Sequence, residues 1–350
     1  MAIYDNNLSN ILNKILENIS IKEIAEELNI ATGTIKRWIE LNNIPKLYTF
    51  ELMRIGNINI DYSKFSFKEK DQFFTPIDTA KKCYMKLLDI LKLYNDNEKN
   101  YIFIEPSAGN GNFLNLLPKD RRIGIDIEPK HDEIIEADFL KWLPENMNNK
   151  YIIIGNPPFG LRGQLALKFI LHSNKFADYV CFILPQLFES DGKGVPRKRV
   201  KGYNLIYSEK LNSNFEEPNG KKIKIECIFQ IWSKYHDNKK YNIQQIDNTI
   251  MKIYSLSDGG TPSTTRNKKM FNKCDIFIPS TCYGKDKMKY YESFNILPNK
   301  KGYGIIFNKD KNLNIKKFKN IVWNEIAFLS TNSAYNIRTS QIIAQFQNKK

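Results

Sequence analysis

Residues 151–160 read YIIIGNPPFG, and that decapeptide restricts the fold more than any other stretch of the chain. Four apolar residues in a row, Tyr151 to Ile154, leave no polar face. A strand made of them is buried on both sides, as in a parallel sheet covered by helices. Gly155 permits backbone angles closed to other residues. Pro157 and Pro158 stop the strand, remove two backbone donors and fix an extended path. The result is a stiff platform at the carboxyl end of a central strand, the edge where open α/β sheets bind ligands. It presents the Asn156 amide, the Phe159 ring and carbonyls that no helix consumes.

The neighbouring sequence predicts the sheet that such a strand needs. Apolar runs at 101–105, 122–127, 133–137, 151–155 and 179–184 read as strands, and helical periodicity fills 78–93 and 163–173. The stretch 221–234 reads as a late strand of the same sheet. This alternation predicts an α/β fold with a doubly wound, mostly parallel, Rossmann-like sheet over residues 71–236. Residues 1–45 look helical: Ile21, Ile24, Ala25 and Leu28, then Ile35, Trp38 and Ile39, recur at helical spacing around a turn at 29–31, with Thr32 or Thr34 as a cap. Two short helices across a tight turn resemble a helix-turn-helix, with Lys36 and Arg37 on the second. Residues 46–70 show little periodicity and read as a linker. Residues 237–350 read as a separate mixed α/β domain.

Charge is unevenly spread. Of the net +15, residues 1–70 carry nine basic and nine acidic groups, whereas residues 236–350 carry 20 and 8. A basic domain joined to a near-neutral one predicts a polyanionic partner, with nucleic acid the first candidate. The five cysteines form no C-x-x-C pair, which fits free thiols in a reducing compartment. The three histidines stand far apart, so no metal site is expected. No membrane-length apolar run and no signal peptide are visible, which predicts a cytoplasmic, non-secreted protein without membrane attachment.

Three strand ends carry the candidate chemistry. The first leads into EPSAGNG (105–111), a glycine-rich turn of nucleotide-binding type. Leu114 stands where a dinucleotide fingerprint needs its third Gly, and there is no Gly-Lys-Ser, so a phosphate is not expected there. The turn begins instead with an acid, Glu105, which suits an ammonium or sulfonium ligand. At the second strand end, Asp126 stands where an acid accepts both hydroxyls of a ribose. At the third, Asp138 is placed to accept from an adenine amino group and Phe139 to lie on the ring. Taken in order, the three predict a nucleoside site.

DQFFTP (71–76), EPSAGNG, GIDIEP (124–129), ADF (137–139), NPPFG (156–160) and LPQLF (184–188) resemble the ordered motifs of S-adenosylmethionine-dependent amino-methyltransferases of DNA. The order is that of the gamma group of N6-adenine enzymes, with the recognition domain C-terminal. The resemblance covers about residues 71–235. It implies a cofactor site of Phe74, Thr75, Pro76, Glu105, Pro106, Ser107, Ala108, Gly109, Gly111, Asp126, Ile127, Asp138, Phe139 and Asn156. It implies a catalytic platform of Asn156, Pro157, Pro158 and Phe159 that needs no metal. Phe159 would stack on a flipped-out base, with Phe229, or next Trp232, as the second aromatic. The N4 amino group of cytosine, RNA adenine and a protein glutamine amide present the same NH2 chemistry and stay open as alternatives. The implied partner is double-stranded DNA, with a separate cognate restriction endonuclease and a monomeric or weakly dimeric chain. For DNA contact the candidates are Arg197, Lys198 and Arg199 in the basic loop 192–202, and Arg266 and Arg338 in the basic domain.

Overall fold

The structure is a computed structural model that describes residues 5–58, 60–67, 69–190, 195–241, 249–262, 264–329 and 333–346. Its centre is a seven-stranded sheet. The strands are β1 (Ile102–Glu105), β2 (Arg122–Asp126), β3 (Ile134–Glu136), β4 (Tyr151–Gly155), β5 (Tyr179–Pro185), β6 (Asn204–Glu216) and β7 (Lys222–Ser233). They lie in the order β3-β2-β1-β4-β5-β7-β6. β1 to β5 are parallel, and β7 is antiparallel to both β5 and β6. This is the doubly wound, Rossmann-like sheet that the alternation predicts. Its strand order reverses between β1 and β4, and open sheets bind ligands at such a reversal.

β4 is buried along its whole length. Tyr151 and Ile153 enter the core on one face, and Ile152 and Ile154 the core on the other. At about 1.5–3 kcal/mol for each large apolar side chain removed from water, this strand strongly favours the central position. The face of Ile153 is covered by helix Gln164–Ser173, and the face of Ile152 by helix Ile77–Leu93.

Before the sheet come α1 (Asp5–Leu16), α2 (Ile21–Leu28), α3 (Thr32–Leu41) and α4 (Thr49–Ile55). Ser20 and Glu23 close a capping box on α2, and Asn29, in the left-handed conformation, ends it. Neither Thr32 nor Thr34 caps α3; its N-cap is Ala31, which makes no side-chain bond. Residues 46–65 differ from the expected linker. Tyr48, Leu52 and Met53 are buried in the core of α1 to α3, with Phe65 packed against it. Helices Ile77–Leu93 and Gln164–Ser173 are α5 and α6.

The basic region holds two three-stranded antiparallel sheets. One is β8 (Met251–Ser257), β11 (Lys301–Phe307) and β9 (Ile276–Pro279); the other is β10 (Thr281–Tyr283), β13 (Ala334–Asn336) and β12 (Phe328–Leu329). Helices α7 (Lys311–Asn320), α8 (Trp323–Ile326) and α9 (Thr339–Ala344) complete it around a core that includes Trp323 and Phe318. The Gln186 side-chain oxygen accepts from Leu329 N–H (2.9 Å), linking β12 to the segment after β5. Among the described residues no helix is long and apolar enough to cross a membrane, and no group of three or more His, Cys, Asp or Glu is placed to hold a metal.

Candidate active site

The carboxyl ends of β1, β2 and β4 meet around the glycine-rich turn. Gly109, at φ 50°, donates its N–H to Asp126 Oδ2 (2.7 Å), and Glu128 N–H donates to Asp126 Oδ1 (2.8 Å). Each carboxylate oxygen therefore holds one backbone donor and keeps a lone pair for an outside hydroxyl. Burial pushes the Asp126 carboxyl above its ordinary value, against the lowering effect of those two N–H groups.

Glu105 lies beneath the turn rather than in the open. It is 3% exposed, and its Oε2 accepts from Leu114 N–H (2.7 Å). Burial raises its carboxyl well above the ordinary range; the Leu114 bond opposes this and the nearby Asp126 adds to it. That placement makes Glu105 an anchor of the turn and weakens its value as a charge partner for a cationic ligand.

Further contacts assemble the motifs. Asn112 Nδ2 donates to the Thr75 carbonyl (2.8 Å), and a Cβ added to Gly109 would lie 3.1 Å from the Phe74 ring. Thus FFTP sits on the glycine-rich turn, with Thr75 buried and Pro76 leading into α5. Phe74 also exchanges backbone hydrogen bonds with Glu216 at the end of β6 (2.7 and 3.0 Å). Ser107 Oγ donates to the Asn156 carbonyl (3.0 Å), joining the turn after β1 to the platform after β4. The approach is close: a Cβ on Gly155 would sit 3.3 Å from Glu105 Cγ. Pro106 and Ala108 are buried inside the turn, and Gly111 N–H closes it on the Ala108 carbonyl (2.7 Å). Ile127 is half-buried beside Asp126.

The platform borders a narrow cavity of about 10 Å³, lined by Asp71, Phe73, Asn156, Pro157, Phe159, Phe215, Ile225 and Cys227. Such a space holds about one water. The Asn156 side-chain oxygen is buried and has no hydrogen-bond partner among the described residues. An orphaned buried acceptor is costly, about 1–3 kcal/mol, and in a cleft it marks a place for an incoming donor. Pro158 is half-buried at the rim.

Other candidates fall elsewhere. Phe139 is 2% exposed, and its ring packs on Phe169, His172 and Phe176. It is a core residue here and no face is left for a ligand ring. Asp138 is exposed and caps its own turn through Leu140 N–H (3.0 Å). Phe229 and Trp232 are also fully packed, and neither lines the cavity. Phe73 and Phe215 supply the aromatic walls instead. The apolar pattern of 204–216 does not reveal β6, which carries Phe215, and Asp71 lies within DQFFTP without a chemical signal of its own.

The basic candidates divide in the same way. Arg197 donates to the carbonyls of Glu189 (3.2 Å) and Tyr241, and Arg199 to the Gln164 side chain, so both tie their segment to the body of the fold. Lys198 between them is exposed. Arg266 is exposed beside β8, whereas the Arg338 guanidinium lies over the Phe328 ring at 5.5 Å. Residues 192–194 of the basic loop, and residue 263 close to Arg266, lie outside the described residues.

No protein-family model matches this sequence, and no curated protein matches it. Solved structures do. A candidate RNA methyltransferase from Pyrococcus horikoshii is similar over 49% of this chain and 90% of its own, at 19% identity and TM-score 0.37. A modification subunit of a candidate type I restriction enzyme from Vibrio vulnificus is similar over 85% of this chain, at 11% identity and TM-score 0.34. The type IIL restriction-modification enzyme MmeI, solved in complex with DNA, is similar over 78% of this chain, at 10% identity and TM-score 0.34. The chain spans 65% and 58% of the lengths of the last two.

Proposed function

We propose that this chain transfers a methyl group from S-adenosylmethionine to the N6 amino group of an adenine flipped out of double-stranded DNA. The observation that carries the reading is the Asn156 side-chain oxygen, buried in a cleft beside Phe159 with no hydrogen-bond partner among the described residues. An exocyclic amine is a poor nucleophile because its lone pair is shared with the ring. Asn156 Oδ1 and the Pro157 carbonyl offer two fixed acceptors for its N–H bonds. They draw the nitrogen toward tetrahedral geometry and return the lone pair, so positioning and fixed dipoles do most of the work.

The residues around the glycine-rich turn fit the cofactor. Asp126 keeps a lone pair on each oxygen for the two ribose hydroxyls, and the Phe74 ring lies against Gly109, where cation–π attraction favours a sulfonium. Bound there, S-adenosylmethionine supplies an electrophilic methyl group. Phe159 stacks on the target base, a contact worth about 1–3 kcal/mol. A cavity of about 10 Å³ does not admit a purine, so base entry requires the surrounding rings to swing aside.

In this reading residues 71–236 are the catalytic domain and residues 237–350 the target-recognition domain. Residues 1–45 form a helix-turn-helix-like module, residues 46–65 pack onto it, and 66–70 lead into the catalytic domain. The protein is cytoplasmic, acts as a monomer or weak dimer, and a partner endonuclease, where one exists, is a separate chain. The test is to incubate the purified protein with methyl-labelled S-adenosylmethionine and unmethylated duplex DNA, then resolve the nucleosides. Label in N6-methyldeoxyadenosine is expected. Label in N4-methylcytosine keeps the mechanism and overturns the base. Label only in RNA or glutamine overturns the substrate.

A further inference from the structure

Two polar side chains face the apolar cleft, Asn156 and Asp71. The proposed function uses only the first. Asp71 is held with some care. It adopts φ 52°, a left-handed conformation that costs a non-glycine residue roughly 1–2 kcal/mol. Its Oδ2 accepts from Gly160 N–H (2.7 Å), the first peptide beyond NPPF, so the carboxylate is locked to the catalytic platform across 89 residues of chain. Gly160 N–H is its one hydrogen-bond partner among the described residues, and no cation forms an ion pair with it there.

Methyl transfer to an amine leaves a proton to dispose of. The amine lone pair forms the new N–C bond, and the S–C bonding pair stays on the sulfur of the sulfonium donor. The nitrogen, which began with two N–H bonds, then carries one proton more than the neutral methylamino product. Asn156 and the Pro157 carbonyl cannot take it, because neither an amide oxygen nor a peptide carbonyl is basic enough to keep it. Resting on the proposed function, we infer that the Asp71 carboxylate is the proton acceptor: one of its oxygens forms an O–H bond as the N–H bond breaks, and its bond to Gly160 holds it in place.

The surroundings suit that role. Burial, and then the charge of Glu51 on α4, raise the Asp71 carboxyl above its ordinary value, while the Gly160 N–H and Arg54, also on α4, lower it. A carboxylate closer to working pH is the better base. Lys70, the adjacent cation, is committed to Glu128 (2.8 Å). Cys227 on β7 is the other ionisable group lining the cleft, and its thiol is strongly raised by burial and so stays neutral.

Asp71→Asn isolates the proton step. Asn tolerates the left-handed angle and still accepts from Gly160, but it cannot hold the proton. The single-turnover rate of this variant should fall about 10²- to 10⁴-fold, the usual contribution of a positioned base, with cofactor affinity and melting temperature unchanged. The wild-type rate should fall as pH drops through the raised Asp71 value, and that acid limb should vanish in Asp71→Asn. Asp71→Gly, which relaxes the same backbone angle, should regain rate on addition of formate. A carbon-13 titration of the Asp71 carboxyl in the cofactor-free protein should give a midpoint matching the limb. An Asp71→Asn enzyme within about threefold of wild type and with the limb intact overturns the inference alone. A wild-type protein that methylates no amine overturns the functional reading and this inference with it.

Discussion

The carboxyl edge of the main sheet and the basic C-terminal region are built on different principles. At the sheet edge, backbone fixes everything: two prolines, a left-handed glycine, and N–H groups on Asp126, Glu105 and Asp71. In residues 249–346 the net positive charge rests on long side chains, and one DNA-contact candidate, Arg338, is spent over Phe328. A site built from backbone geometry announces itself in short motifs. One built from the reach of surface side chains leaves only a sum of charges, which does not say which of them meet a partner.

The contrast can be broken from either side. The largest effect is expected from Asp126→Ala. It strips an acceptor from two backbone N–H groups, each charge-assisted bond being worth about 1.5–3 kcal/mol. Titration calorimetry should show S-adenosylmethionine affinity falling at least tenfold, and unchanged affinity would remove Asp126 from the cofactor site. Phe159→Ala comes next, with a loss of about 1–3 kcal/mol in binding single-stranded or flipped target at constant cofactor affinity. Lys198→Ala touches the other side of the comparison. If this exposed residue meets a phosphate, the slope of log affinity against log salt should fall by about one, with the loss of affinity greatest at low salt and fading as salt rises.

The smallest effect concerns Glu105. Its folded-state value is raised, so above the ordinary value, about pH 4.3, the folded chain keeps a proton that the unfolded chain has released. Stability therefore falls as pH rises through the window between the two values. Glu105→Gln should flatten that fall in urea unfolding curves while still accepting from Leu114. An unaltered slope would place the pH dependence elsewhere.

Legibility followed the same division. The five parallel strands and the late strand were readable because each is a dense apolar run, and β4, buried on both faces, was the clearest. β6 was not readable: NLIYSEKLNSNFE (204–216) interleaves charged and amide residues as an edge strand does. With it went Phe215 and the partner of Phe74. α4 was missed because TFELMRI is seven residues with no side-chain N-cap, and its helicity comes from burying Leu52 and Met53. For Phe139 a neighbouring acid, and for Phe229 its place in the late strand, suggest a ring contact, but sequence position does not tell which side of a strand turns inward. Asp71 was in view in DQFFTP, yet its meaning depends on Gly160, which only the fold brings near.

In the proposed function Asn156 activates the amine, and the cofactor contact that the resemblance implies for it contributes little to cofactor affinity. This claim is tested most directly by measuring S-adenosylmethionine affinity and single-turnover methyl transfer to duplex DNA side by side in wild type and Asn156→Ala. The account predicts cofactor affinity within a few-fold and a transfer rate reduced by about 10²–10³, the cost of removing one fixed polar group from such a site. Transfer at the wild-type rate in Asn156→Ala would contradict it.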